Sequence, residues 1–299
     1  MLNELPDKLR SNHMILAGLW VAKVEPVMNL YLNSFIDQAN QLSSEGFKWY
    51  WNGEEKVSKL FPLGCCVDSP CRCAMLCMKR FNGLNGCTYC EHPNVAINGV
   101  RKYPMILPPP LLRTDTSIKE KMLLAHSSIS DDITGIKGPS SLMNLNHFNL
   151  VDGMIVDFMH ACLLGVTELY TTIILTNVKR KYYVGSPNKL LIIDQRLLSI
   201  RPPNCIAKVS RSIKERANWT ASEWLTWLIF YSLICLHGVL PKKYYNNLAM
   251  FVCAMNILLE DSITPAMLEN ARNLLIRFVV NFEILYGKNY MHYNVHSSY

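Results

Sequence analysis

Cys87-Thr88-Tyr89-Cys90 is the most specific chemical signal in the chain. Two thiolates separated by two residues can grip one tetrahedral Zn2+ from a tight turn, and Gly86 just before them gives the backbone freedom to form it. Further ligands are needed, and no second pair of cysteines has this spacing. The candidates are His92, His292 and His296; the alternative is a half-buried pair of thiols with no metal. Cys65, Cys66, Cys71, Cys73 and Cys77 crowd around Asp68, where cysteine behaves as a small hydrophobe, so core packing is their expected role.

Asp68 is followed by Ser69 and Pro70, a capping residue and a first-turn proline. It therefore stands where an apolar strand gives way to a helix, the place at which α/β sheets display functional side chains. An ordinary helix cap is the plainer reading of such an aspartate. Asp157 and His160 lie one helical turn apart, so both can face one way. A metal or substrate contact there competes with capping and a structural hydrogen bond. Basic residues gather in two runs, Lys179, Arg180 and Lys181, then Lys208, Arg211, Lys214 and Arg216. They can contact DNA phosphates, although charge runs are commonly just solvated faces. Trp219, Trp224 and Trp227 are spaced for a helical core.

These residues need elements to hold them. Residues 14–23 read as a buried strand, a short apolar run bounded by polar residues. Residues 29–42 carry Leu30, Leu32, Phe35, Ile36 and Ala39 at roughly helical spacing, and 47–51 form an aromatic, strand-like run. A second strand over 57–67 ends at Asp68, and a helix over 71–81 ends at Asn82-Gly83. The proline-rich stretch at 103–112 is an extended crossing segment. Beyond it, 155–177, 221–236, 242–258 and 265–286 are long and helix-periodic, the last opened by Thr264-Pro265 and closed by Gly287. The expected organisation is an α/β part over 1–102, an extended crossing over 103–150 and a helical part over 151–299.

With 299 residues, 50% of them hydrophobic and 18% charged, the chain can bury a sizeable core, which excludes disorder. A formal charge of +7 suits a polyanionic partner but decides little alone. The first ten residues mix acids and bases, unlike a secretory signal. The longest apolar runs, 14–22 and 225–236, are short of the roughly 20 residues that span a bilayer, so no membrane partner is expected. Eleven cysteines without secretion read as thiols or metal ligands, in the nucleus or cytosol.

Several blocks share an order with one known family. Gly64-Cys65-Cys66-Val67-Asp68-Ser69-Pro70-Cys71-Arg72, Phe81-Asn82-Gly83 and Gly86-Cys87-Thr88-Tyr89-Cys90 are followed by Gly135-Ile136-Lys137-Gly138-Pro139-Ser140 and Val156-Asp157-Phe158-Met159-His160. Later come Trp219-Thr220-Ala221-Ser222-Glu223, Leu285-Tyr286-Gly287 and Asn294-Val295-His296, and upstream lie Asn3-Glu4-Leu5-Pro6 and Ile15-Leu16-Ala17-Gly18-Leu19-Trp20. Together they resemble the transposase core of CACTA (En/Spm-type) elements over essentially the whole chain.

That resemblance implies an α/β, RNase H-like core, a mixed sheet with flanking helices, carrying a long and mostly α-helical insertion. It implies a DNA strand-cleaving and strand-transfer enzyme in which three carboxylates hold two Mg2+ ions. It assigns Asp68 as the second of those acids and a Mg2+ ligand. It also implies a structural Zn2+ on Cys87, Cys90 and two histidines, of which His296 matches the first. DNA is the implied partner, with homo-oligomeric assembly compatible with it, and the nucleus the implied location. The family's first aspartate belongs upstream of the Asn3–Pro6 block, and its last glutamate and second zinc histidine belong after His296. The expectation is therefore a core truncated at both ends and inactive alone. The competing function is a non-catalytic DNA-binding or protein-interaction module domesticated from a transposon.

Overall fold

Short strands mark the first half of the chain and helices the second, in a computed structural model that describes residues 14–127, 134–201 and 211–298 together with Leu9 and Asn12. The fold is mixed α/β, 52% helix and 10% strand, and its strands pair only two at a time, so helices must provide most of the core. The chain divides into two compact units. One comprises Met1–Cys66, Pro70–Lys79 and Arg113–Ile155; the other comprises Val67–Ser69, Arg80–Leu112 and Val156–Tyr299. The Cys87–Cys90 segment, grouped by sequence with the first hundred residues, thus packs with the helical second half.

In the first unit, α1 (Met28–Ser44) buries Leu32, Ile36, Ala39 and Ser43, a stripe at helical spacing, while Leu30 and Phe35 face outward. Two of its asparagines tie it to the 3-10 turn Ser141–Asn144. Asn29 donates to the Pro139 carbonyl and accepts from the Ser141 amide, and Asn40 does the same with Asn144 and Asn146, all at 2.8–3.0 Å. β1 (Phe47–Trp51) and β2 (Glu54–Ser58) form an antiparallel hairpin. Its corner, Asn52-Gly53, has positive φ at both residues, 51° and 80°, the geometry whose twist matches the strands.

Several expected elements are corrected. The strand read over 57–67 is interrupted between Ser58 and β3 (Cys65–Val67), where Pro62 has no N–H to give a ladder. β4 (Val95–Ile97) and β5 (Val100–Lys102) form a second antiparallel pair, and β3 pairs with β6 (Met154–Val156). The helix read over 71–81 is the shorter α2 (Ser69–Met75). It stops because Cys77 turns left-handed, φ 51°, with the Met78 amide bonded to the Cys73 carbonyl and the Cys77 amide to Ala74. Of the five cysteines expected in the core, Cys73 is buried, Cys66 is exposed and the other three are half-buried. Residues 14–23 form no strand: Ile15, Leu16, Leu19 and Val21 are exposed, and an apolar run becomes a strand only where a neighbour takes up its backbone groups. The crossing segment 103–150 is not extended throughout, because it contains α3 (Asp115–Ser127). There the Thr114 hydroxyl accepts from the Ser117 amide and Asp115 from the Leu150 amide.

The second unit holds the dense core. A π-helical stretch, Met159–Thr167, runs directly into α4 (Glu168–Thr176). After α5 (Pro187–Ser199) come α6 (Ala221–Thr226), the π turn Trp227–Tyr231 and α7 (Ser232–Leu236) as one continuous rod. α8 (Lys242–Leu258) and α9 (Pro265–Tyr286) form an antiparallel pair with the boundaries that the sequence period gives. Thr264 accepts from the Met267 amide to open α9, and Gly287 closes it at φ 94°. Trp219, Trp224 and Trp227 pack edge to face inside, and Phe251 stacks on Phe278 at 4.8 Å. The Met159–Thr176 helix is long and apolar enough to cross a membrane, with 44% of it buried within the protein, a combination that core helices share.

Candidate metal centre

The two cysteines of the CxxC turn and one distant histidine come together. Cys87, Cys90 and His296 are all buried, and their ligand atoms lie within 4.8 Å of one another. The Cys90 Sγ to His296 Nε2 distance is 3.3 Å. Zn–S and Zn–N bonds of about 2.3 and 2.1 Å set a tetrahedral edge of about 3.6 Å, so the donor spacing fits one ion. The donors are also of the right chemistry, two soft thiols and an imidazole. The Cys87 thiol is held well below its usual range, first by the hydrogen bond from Cys90 and then by His296, against the upward push of burial.

Local backbone explains why the turn closes. Asn85 takes the left-handed conformation at φ 54°, whereas Gly86 does not. A Cβ on Gly86 would lie 2.1 Å from the Arg80 carbonyl oxygen, so this glycine is required by close approach rather than by turn freedom. From the other side, the ring of His296 is delivered by α10 (Tyr293–His296). That short helix lies against the π-helical stretch, with a Cβ on Gly165 placed 2.3 Å from Asn294 Nδ2 and 2.8 Å from its Cβ. Tyr103 stacks on the imidazole at 5.0 Å and donates its hydroxyl to the Phe81 carbonyl at 2.6 Å. Phe81 in turn stacks on Tyr293 at 5.6 Å. The ligands are therefore set in an aromatic box that keeps water out.

The other two candidate histidines are excluded by where their nitrogens go. His92 meets the edge of His296 at 4.9 Å between centroids, but its Nδ1 accepts from the Asn94 amide at 2.8 Å. Its Nε2 must then carry the proton that it gives to the Pro104 carbonyl at 2.7 Å. Burial lowers its basicity, which keeps this neutral tautomer. His92 is a wall of the site. His292 places Nε2 2.6 Å from the Lys102 Nζ, and burial followed by the Lys102 charge drives its pKa down to about 4. Neither is one of the clustered ligands.

The remaining expected residues are dispersed. Asp68 directly follows β3 and precedes α2, as its sequence context implies, and is half-buried. Among the described residues it belongs to no cluster of three ligand-bearing side chains, and nothing in the arrangement supports a Mg2+ site. Asp157 is a helix cap: its carboxylate accepts from the Met159 amide at 2.8 Å and from the His160 ring at 2.6 Å. Burial opposes the charge, but the His160 and backbone hydrogen bonds outweigh it and lower the Asp157 pKa. Asp157 and His160 thus satisfy each other.

The basic runs also separate. Lys179, Arg180 and Lys181 are exposed on the turn after α4. Arg211 is committed inward, its guanidinium bonded to both Glu223 oxygens at 2.6 and 2.9 Å and to the Asn218 carbonyl. Lys214 lies 4.0 Å from Asp194, and Arg216 bonds the Ile213 carbonyl. Lys208 and the Asn3–Pro6 block lie outside the described residues. Within residues 219–223, Thr220 and Glu223 form a capping box, legible as Thr-x-x-Glu. Comparison with protein-family models, with curated proteins and with solved structures returns no match.

Proposed function

We propose that this chain derives from the catalytic core of a CACTA-type transposase, with an RNase H-like ancestry, and that Cys87, Cys90 and His296 are ligands of its structural Zn2+. The observation that carries the reading is the meeting of Cys90 with His296 across 206 residues of sequence. The resemblance points to the same three residues. Asp68, between a strand and a helix, is the residue that the resemblance assigns as a Mg2+-binding acid for phosphoryl transfer. DNA is the proposed partner and the nucleus the proposed location, with the exposed Lys179–Lys181 turn as the first phosphate contact to test.

Metal analysis of the purified protein tests the first step: one zinc per chain is expected, replaced by Co2+ with a thiolate charge-transfer band that Cys87→Ser removes. Metal-free protein with unchanged stability in Cys87→Ser would end the reading. Divalent-metal nicking of supercoiled DNA by a longer polypeptide that carries all three acids, lost in Asp68→Asn, tests the enzymatic part. A second reading has its own support. The exposed Lys179–Lys181 turn needs no active site to contact phosphates, as a non-catalytic DNA-binding module would. Salt-dependent retardation of duplex DNA without nicking is the outcome that module predicts.

A further inference from the structure

We propose that Lys102 and His292 form a binding site for an oxyanion of the phosphate class. Lys102 ends β5 (Val100–Lys102) and is only 7% exposed. Its Nζ donates to His292 Nε2 at 2.6 Å. A nitrogen that accepts from an ammonium carries no proton, so the imidazole is neutral and brings no counter-charge. Among the described residues no carboxylate pairs with either group. The contrast with other cations is direct: Lys48, Lys56, Lys119 and Arg211 each have their own acid, although all are more exposed. A desolvated ammonium facing only a neutral ring is an unbalanced charge, and such charges are normally paired.

The valence of the site says what would balance it. An ammonium has three N–H donors and the imidazole takes one, which leaves two for an incoming oxygen. The 3-10 turn Lys288–Tyr290 packs beside β5 and adds the exposed Lys288 to the neighbourhood. Two lysines, with no carboxylate paired to Lys102 or His292 among the described residues, favour an anion with more than one negative charge over a single carboxylate. A free phosphate here stands apart from the transposase reading. A DNA phosphodiester here would rest on that reading and deepen it.

Titration with inorganic phosphate, followed through the His292 ring and the Lys102 15Nζ resonances of zinc-loaded protein, reads the site directly. A saturable shift is expected, weakened about tenfold or more in Lys102→Met and retained in Lys102→Arg. A short DNA duplex that moves the same resonances identifies a polymer phosphodiester as the occupant; a duplex that leaves them unmoved identifies a free anion. Either supports the site, and only the former supports the deeper version. The absence of a saturable wild-type response overturns the proposal, as does a phosphate response unchanged in Lys102→Met. Should Lys102→Met fail to fold, the wild-type 15Nζ titration decides alone.

Discussion

The two units treat aromatic side chains in opposite ways. In the helical unit Trp224, Trp227 and Phe278 are at most 2% exposed and belong to one buried cluster. In the N-terminal unit Trp49, Tyr50 and Trp51 of the hairpin are 40–69% exposed. The sequence offers no such contrast, since both regions are rich in the same residue types. Aromatic content therefore does not locate stability; the number of sides from which a ring is covered does. The helical unit also contains the one cluster of three side chains found among the described residues that could hold a metal ion.

The largest test of that contrast is metal removal. Chelation, or Cys90→Ser, is expected to destabilise the helical unit by several kcal/mol, with His296 and its short helix detaching while hairpin fluorescence from Trp49 is unchanged. Calorimetry with and without chelator measures it, and an equal loss in both units would erase the distinction. Next in size, Phe278→Ala removes a fully buried ring from the α8–α9 interface. A cost of about 3–5 kcal/mol is expected in denaturant melts. If Trp49→Ala costs as much, exposure is the wrong guide.

A smaller effect belongs to the capping box. Thr220→Ala is expected to cost about 1 kcal/mol. The paired Glu223 carries a pH signature. Its carboxyl is held at about 2, below the ordinary 4.5, chiefly by the hydrogen bonds from Arg211. The depressed folded value means that the contribution is fully present above about 4.5 and fades as pH falls toward 2. Glu223→Gln should flatten the stability profile across that acid window, as urea midpoints at successive pH values would show. Smallest of all, Trp49→Ala on the exposed hairpin is expected to stay within about 0.5 kcal/mol.

Some of this could be read before any coordinates. α8 and α9 are long, with many turns of consistent period, so their limits follow from pattern and from Thr264 and Gly287. The CxxC pair was legible because its chemistry is local. The choice among His92, His292 and His296 was not, because it depends on which ring nitrogens the backbone and Lys102 already occupy. The exposed run at 14–23 misled for a related reason: an apolar sequence records what can be buried, not whether a neighbour arrives to bury it. The Asn52-Gly53 hairpin corner and the Thr220–Glu223 box are short signals legible in the sequence alone. Arg211 looked like one more cation in a run, and its two bonds to Glu223 depend on a helix start twelve residues away.

Gly165 keeps the candidate centre in register. The absence of a side chain there lets the π-helical stretch sit flush against Asn294, two residues before the imidazole donor. Even a methyl group would act as a wedge, tilting the short terminal helix and swinging the ring nitrogen away from the sulfurs. The tolerance of the ion-binding geometry is thus set by a spacer of zero thickness on a helix that supplies no ligand itself.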